Sequence, residues 1–93
     1  MSLDIRHDEN GSRFVATIDA HDAYVAYMPV DDQTLEYRRT YVPTELRGQG
    51  IAGKLVAWAL EYARAHGYRV IPTCSYVRGY LERNPEYQDL AAS

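Results

Sequence analysis

RGQGIAGKL, Arg47 to Leu55, is the stretch on which the reading of this chain turns. Gly48, Gly50 and Gly53 fall directly ahead of a helical period, so backbone N–H groups gather at a helix N-terminus, where an anion is favoured. Two nucleotide-binding templates overlap on these residues. Gly48, Gly50 and Gly53 spell the dinucleotide fingerprint, and Gly48 to Lys54 spell most of a Walker A loop. Neither survives its context. A Walker A loop needs a Ser or Thr after its lysine to hold magnesium, and Leu55 stands there. Tyr68–Cys74 contains no acid to serve as the Walker B carboxylate. The dinucleotide fingerprint needs its first glycine at the end of a strand and an acid about 20 residues on. Here the glycines lie a loop's length beyond Val42, and no Asp or Glu occurs between Glu61 and Glu82.

Outward toward the C-terminus, Gly50 to His66 follow a helical period. Ile51, Leu55, Trp58, Ala59 and Tyr62 form one stripe, with Lys54, Glu61 and Arg64 opposite. Gly67 is a natural residue to end that helix. Tyr68–Cys74 reads as a strand that Pro72 should disturb, since proline donates no ladder hydrogen bond. Ser75–Arg83 reads as a shorter helix stopped by Asn84-Pro85, and residues 86–92 add a last turn. Outward toward the N-terminus, Thr34–Val42 is a strand with Leu35, Tyr37 and Tyr41 expected on one face, and Pro43 ends it. Ala23–Val30 and Arg13–Ile18 are two more strands, joined by turns at Asp19–Asp22 and Asp31–Gln33. Residues 1–11 are polar and either edge-like or loosely ordered. The expectation is an α+β domain over residues 1–93: an antiparallel three-stranded meander, a long helix, a parallel fourth strand and a short C-terminal helix.

Bulk properties narrow the function. The 93 residues suffice for one modest core. A net charge of -3 with interspersed acids and bases gives no electrostatic case for nucleic acid or an anionic membrane. No apolar run is long enough to span a bilayer. The N-terminus lacks the apolar segment of a signal peptide, and the single Cys74 cannot form an internal disulfide, so a reducing cytoplasm is expected. His7, His21 and His66 are scattered, and none pairs with Cys74 at ligand spacing, so no metal site is expected.

The segment TYVPTELRGQGIAGKLVAWAL, Thr40 to Leu60, resembles the central motif of the GNAT acetyltransferase superfamily, in which a strand, a glycine loop and a helix follow one another. Arg47, Gly50 and Ala52 carry its R-x-x-G-x-[GA] core. The whole chain resembles the very small single-domain branch of that family, through Pro72-Thr73-Cys74-Ser75-Tyr76 and Asn84-Pro85-Glu86-Tyr87 as well as the loop. The resemblance implies a truncated GNAT-like fold that binds acetyl-CoA (coenzyme A). Its pyrophosphate would lie on the amides from Gly48 to Ala52, where glycines avoid Cβ clashes with the ligand. Arg47, Gly48, Gln49, Gly50, Ile51 and Ala52 are thereby implied as cofactor contacts. The backbone of Thr40, Tyr41 and Val42 would bond the pantetheine, and Tyr76 would line its channel.

Two residues stand out for chemistry. Cys74 ends a strand immediately before a helix, a position that lowers a thiol's pKa, although free cysteines are ordinarily small packing residues. By the resemblance it meets the thioester or accepts the acetyl group. Tyr80 resembles the tyrosine that protonates the departing thiolate in the superfamily, with a packing role as the alternative and Tyr76 as a weaker rival. Glu36 and His21 are the candidate bases, each by default a solvated surface residue. Arg38 and Arg39 could meet the CoA 3′-phosphate or an acidic acceptor, with exposed strand charge as the default. The reading is an N-acetyltransferase acting on an amine acceptor, either a small molecule or a protein lysine. The alternatives are a non-catalytic acyl-CoA-binding module working through a partner, and a bare interaction scaffold.

Overall fold

The fold is seen in a computed structural model that describes residues 3–91, so the outermost two residues at each end of the expected domain lie outside the described residues. The alternating first half builds four antiparallel strands: β1 (Ile5–Asp8), β2 (Arg13–Ile18), β3 (His21–Asp31) and β4 (Thr34–Tyr41). Helix α1 (Ile51–Ala65) then carries the chain to β5 (Arg69–Pro72), which pairs parallel to β4, so the order across the sheet is the order along the chain. Helix α2 (Ser75–Arg83) follows, and 3-10 turns cover Thr44–Leu46 and Pro85–Leu90.

The meander has one strand more than the three expected. In β1, Ile5 and His7 sit opposite Ala16 and Phe14 on the core face, while Arg6 and Asp8 face outward opposite Val15 and Arg13. Arg6 donates to the Thr17 hydroxyl and Arg13 donates to the Asp8 carboxylate. Those charged outer positions disguise an alternation only four residues long.

One face of the sheet carries the core. Phe14, Ala16, Ala23, Val25, Leu35, Tyr37 and Val70 meet Leu55, Val56, Ala59, Leu60 and Ala63 of α1, and Val77 and Leu81 of α2 join them. Each large aliphatic side chain so buried contributes about 1.5–3 kcal/mol. Tyr37 is fully buried, and its hydroxyl donates to the Ala59 carbonyl, so the phenol is satisfied and β4 is pinned to α1.

A bulge interrupts β4. Pairing with β3 steps from Tyr27 opposite Tyr37 to Ala26 opposite Arg39, leaving Arg38 as an extra residue. An inserted residue reverses the alternation beyond it. Thr40, opposite Val25, therefore faces α1, and Tyr41, opposite Tyr24, faces away, its ring 5.4 Å from the Tyr24 ring. This corrects the expectation that Tyr41 shares a face with Leu35 and Tyr37.

The parallel pair opens at the same level. Its last partners are Tyr37 and Pro72, and the Thr73 N–H folds back on the Ile71 carbonyl at 3.0 Å. The Cys74 N–H regains the Tyr37 carbonyl at 2.9 Å, after which α2 leaves the sheet.

Candidate functional site

The loop between β4 and α1 is held by its own backbone. The Leu46 N–H donates to Pro43 at 2.9 Å, the Arg47 N–H to Thr44 at 3.2 Å, and Arg47 Nε to the Val42 carbonyl at 3.1 Å. Arg47 thus staples the loop to the end of β4, on a carbonyl that the sequence reading gave to the pantetheine. Gly48 and Gly50 have φ of 80° and 74°. A Cβ on either would meet nothing within 4 Å. What the folded chain requires of these glycines is the left-handed backbone and not room.

Gly50 is left-handed and Ile51 begins the helix, an order of conformations that turns successive N–H groups into one concave nest. The first helical bond runs from the Lys54 N–H to the Gly50 carbonyl at 3.3 Å. The amides of Ile51, Ala52 and Gly53 therefore have no intrahelical acceptor. No side chain caps the helix and no acid stands in its first turn. The macrodipole adds partial positive charge at the same point. A cavity of about 230 Å³ opens there, lined by Val42, Leu46, Arg47, Gly48, Gly50, Ile51, Ala52 and Tyr76. Its size and open amides can hold a diphosphate, with the remainder of a larger molecule lying outside.

Gln49 lies elsewhere, lining a neighbouring cavity of about 270 Å³ with Ile51 and Lys54. Tyr41 turns its ring to the far side of the sheet and leaves only its backbone for the site. Leu46 was missed by the sequence reading. Its one signal is that it is the apolar residue of an otherwise polar loop, and it is buried.

Cys74 sits where β4 and β5 part. Its Sγ lies 3.4 Å from the Thr40 hydroxyl, a contact that depends on the bulge turning Thr40 toward α1. Burial pushes the thiol up, but the Thr40 hydroxyl and the Val77 and Tyr76 amides at the start of α2 outweigh it and hold its pKa below the ordinary cysteine value. The arrangement is a half-buried thiol biased toward thiolate. Thr40 and Cys74 each stand two residues from a lining residue of the cavity, Val42 and Tyr76.

Tyr76 faces the opening of α1: its hydroxyl would be 3.5 Å from a Cβ placed on Gly53. Tyr80, one turn further along α2, packs its ring 6.2 Å from Tyr87. Burial, and then Glu86, raise its phenol above the ordinary value, which keeps it protonated. Among the described residues no hydrogen bond engages its hydroxyl or joins it to Cys74. Glu36 accepts the Thr73 hydroxyl, one residue before Cys74 but on the outer face. His21 begins β3, opposite Ile18. Arg38 reaches Met28 Sδ and Arg39 lies over the Tyr41 ring, both on the outer face away from the cavity. Among the described residues no cluster of three His, Cys, Asp or Glu could hold a metal, and no helix is long and apolar enough to cross a membrane.

An open glycine nest at a helix start, beside a parallel strand pair that splays, defines the GNAT class of fold. The solution NMR structure of a GCN5-like protein from Staphylococcus aureus matches with a TM-score of 0.76 and 32% identity, over 100% of this chain and 92% of that one. The chain belongs to the family of GCN5-related N-acetyl-transferases, whose profile matches residues 13–90. Protein NATD1 of Xenopus tropicalis is 30% identical over 86 residues, covering 90% of this chain and 79% of the relative. Protein NATD1 of Homo sapiens is 30% identical over 83 residues, covering 87% and 74%.

Proposed function

We propose that the chain binds acetyl-CoA at the opening of α1 and transfers the acetyl group to an amine in a reducing cytoplasm. The observation that carries this reading is the uncapped nest from Gly50 to Gly53, which offers several amides and no competing carboxylate to an anion. Gly48, Gly50, Ile51 and Ala52 would hold the diphosphate, and Val42 and Tyr76 the start of the pantetheine arm. Arg47 would act by fixing the loop, with Gln49 at its edge and Tyr41 through its backbone alone.

Bound acetyl-CoA supplies an activated acetyl thioester. Cys74 Sγ, drawn toward thiolate by Thr40 and the α2 amides, accepts the acetyl group and yields it to the amine, whose surplus proton passes to solvent. The Tyr80 phenol, protonated at neutral pH and with no hydrogen bond to its hydroxyl among the described residues, donates to the departing CoA thiolate and is reprotonated from water. The depressed thiol favours this covalent route over direct attack by the amine.

Intact-mass measurement after incubation with acetyl-CoA tests it. The expected result is a gain of about 42 Da, one acetyl group, that is absent in Cys74→Ala and discharged by added amine. CoA binding with no mass gain and no amine acetylation would leave a binding module instead.

A further inference from the structure

A cavity of about 450 Å³ lies at the other end of α1. Tyr27, Tyr62 and Tyr68 wall it, and Glu9, Asp31 and Asp32 stand at its rim. Leu35, which also lines it, begins β4, whereas Thr40 and Cys74 lie near the far end of that strand. Five residues of extended chain, about 17 Å, separate Leu35 from Thr40. The cavity is therefore distinct from the one at the glycine loop.

Its walls have a definite chemistry. The Tyr62 and Tyr68 rings lie nearly parallel, 13° apart with centroids at 6.2 Å, and form a continuous aromatic surface. His7 hydrogen-bonds the Tyr27 hydroxyl through Nε2 at 2.6 Å and approaches Glu9 through Nδ1 at 3.9 Å. His66 packs its ring against Tyr62 at 4.2 Å. Among the described residues no Lys or Arg lines the cavity. Arg69, at the start of β5, donates instead to the Ala91 carbonyl. Burial is the main cause that raises the Tyr27 and Tyr62 hydroxyls above their ordinary values, with Glu9 adding in the same direction. Three carboxylates around aromatic rings, with His7 but neither Lys nor Arg beside them, match a positive charge carried on an apolar body. A bare metal ion is a poor match, since among the described residues no three ligating side chains converge.

We propose that the cavity walled by Tyr27, Tyr62 and Tyr68 is a second binding site, one that takes an organic ammonium ion. Its methylene or N-methyl groups lie on the tyrosine rings, and its charge is met by Glu9, Asp31 and Asp32. The site is independent of acetyl transfer and does not rest on that reading. A short diamine such as putrescine carries two charges across an apolar spacer and is the simplest probe; 1,4-butanediol is its neutral counterpart.

The test is an NMR titration of the full chain without any CoA. Putrescine is expected to move the ring resonances of Tyr62 and Tyr68 and the amides of Asp31 to Gln33, and butanediol to leave them in place. The double variant D31N/D32N should weaken putrescine roughly tenfold through loss of two charges. Asn at 31 still accepts the Gln33 N–H that Asp31 accepts in the turn, so the fold is kept and an amide spectrum checks it. Tyr68→Leu should also weaken binding. Equal shifts from butanediol, an unchanged affinity in D31N/D32N, or putrescine shifts confined to Thr40–Ala52 and Cys74 would each overturn the proposal. Failure of CoA to bind would not bear on it.

Discussion

The two ends of α1 are built on opposite principles. At the C-terminal end Gly67 is left-handed, the Tyr68 N–H bonds Ala63 at 2.8 Å and the Gly67 N–H bonds Arg64 at 3.3 Å, a Schellman closure that satisfies the last carbonyls. Aromatic rings crowd round it, with Tyr62 in contact with Phe14, Trp58, His66 and Tyr68. At the N-terminal end there is no side-chain cap, although a Ser or Asp there would contribute about 1 kcal/mol. The helix is finished where the fold is held together and left unfinished where an anion would complete it. The aromatic end should set stability and the glycine end ligand capacity, and substitutions can separate the two.

Phe14→Ala should have the largest effect. Its ring lies 5.0 Å from Tyr62 and Tyr27 and 5.4 Å from Trp58, and it is fully buried. Truncating such a ring costs about 3–5 kcal/mol, a large part of the roughly 5–15 kcal/mol that holds a domain folded. Urea unfolding measures it, and a loss under about 1 kcal/mol would show that the aromatic cluster is not the keystone. Gly50→Val comes next. A β-branched residue at φ 74° costs about 1–3 kcal/mol, and it disturbs the nest. Calorimetry should register CoA heat for the parent and none for the variant at matched folded fraction; unchanged affinity would sever the loop from the cofactor.

That contrast was only partly legible in the sequence. The change of period at Gly50, the Gly67 stop and the strand spacing are local signals, and the α+β order follows from them. The β1 strand escaped because half of its four residues are charged and face solvent. The turning of Tyr41 escaped because a period of two cannot reveal an inserted residue; the tandem Arg38-Arg39, both outward, is its faint trace. The bulge also brings Thr40 to Cys74, so the hydrogen bond that tunes the thiol could not be read from spacing. The second cavity gathers residues as far apart as His7 and Tyr68, which strand pairing and the packing of α1 on the sheet bring together.

Thr40→Val tests that hidden contact. The Thr40 hydroxyl and the α2 amides lower the thiol's pKa, so alkylation of Cys74 by iodoacetamide should have its pH midpoint below that of a free cysteine. Removing the hydroxyl should move the midpoint up and slow alkylation at neutral pH. Because the folded value is the depressed one, this contribution to stability exists above the unfolded thiol's pKa and vanishes as pH falls through the folded value. Thr40→Val should therefore lose this increment only at alkaline pH. A midpoint that stays put would return Cys74 to the role of a packing residue.

The smallest effect is the most discriminating. Gly53 lies inside α1 with an ordinary helical φ, and a Cβ there would stand 3.5 Å from the Tyr76 hydroxyl, a normal contact. Nothing in the folded chain demands glycine at this position, and alanine should raise stability by about 1 kcal/mol. A residue that weakens its helix without serving the fold needs a cause outside it, and close approach of a ligand to the helix surface is the one the glycine end suggests. Gly53→Ala should then melt higher than the parent while binding CoA more weakly. If melting temperature and affinity both rise, the glycine is no concession to a ligand, and the open end of α1 must be explained without one at this turn.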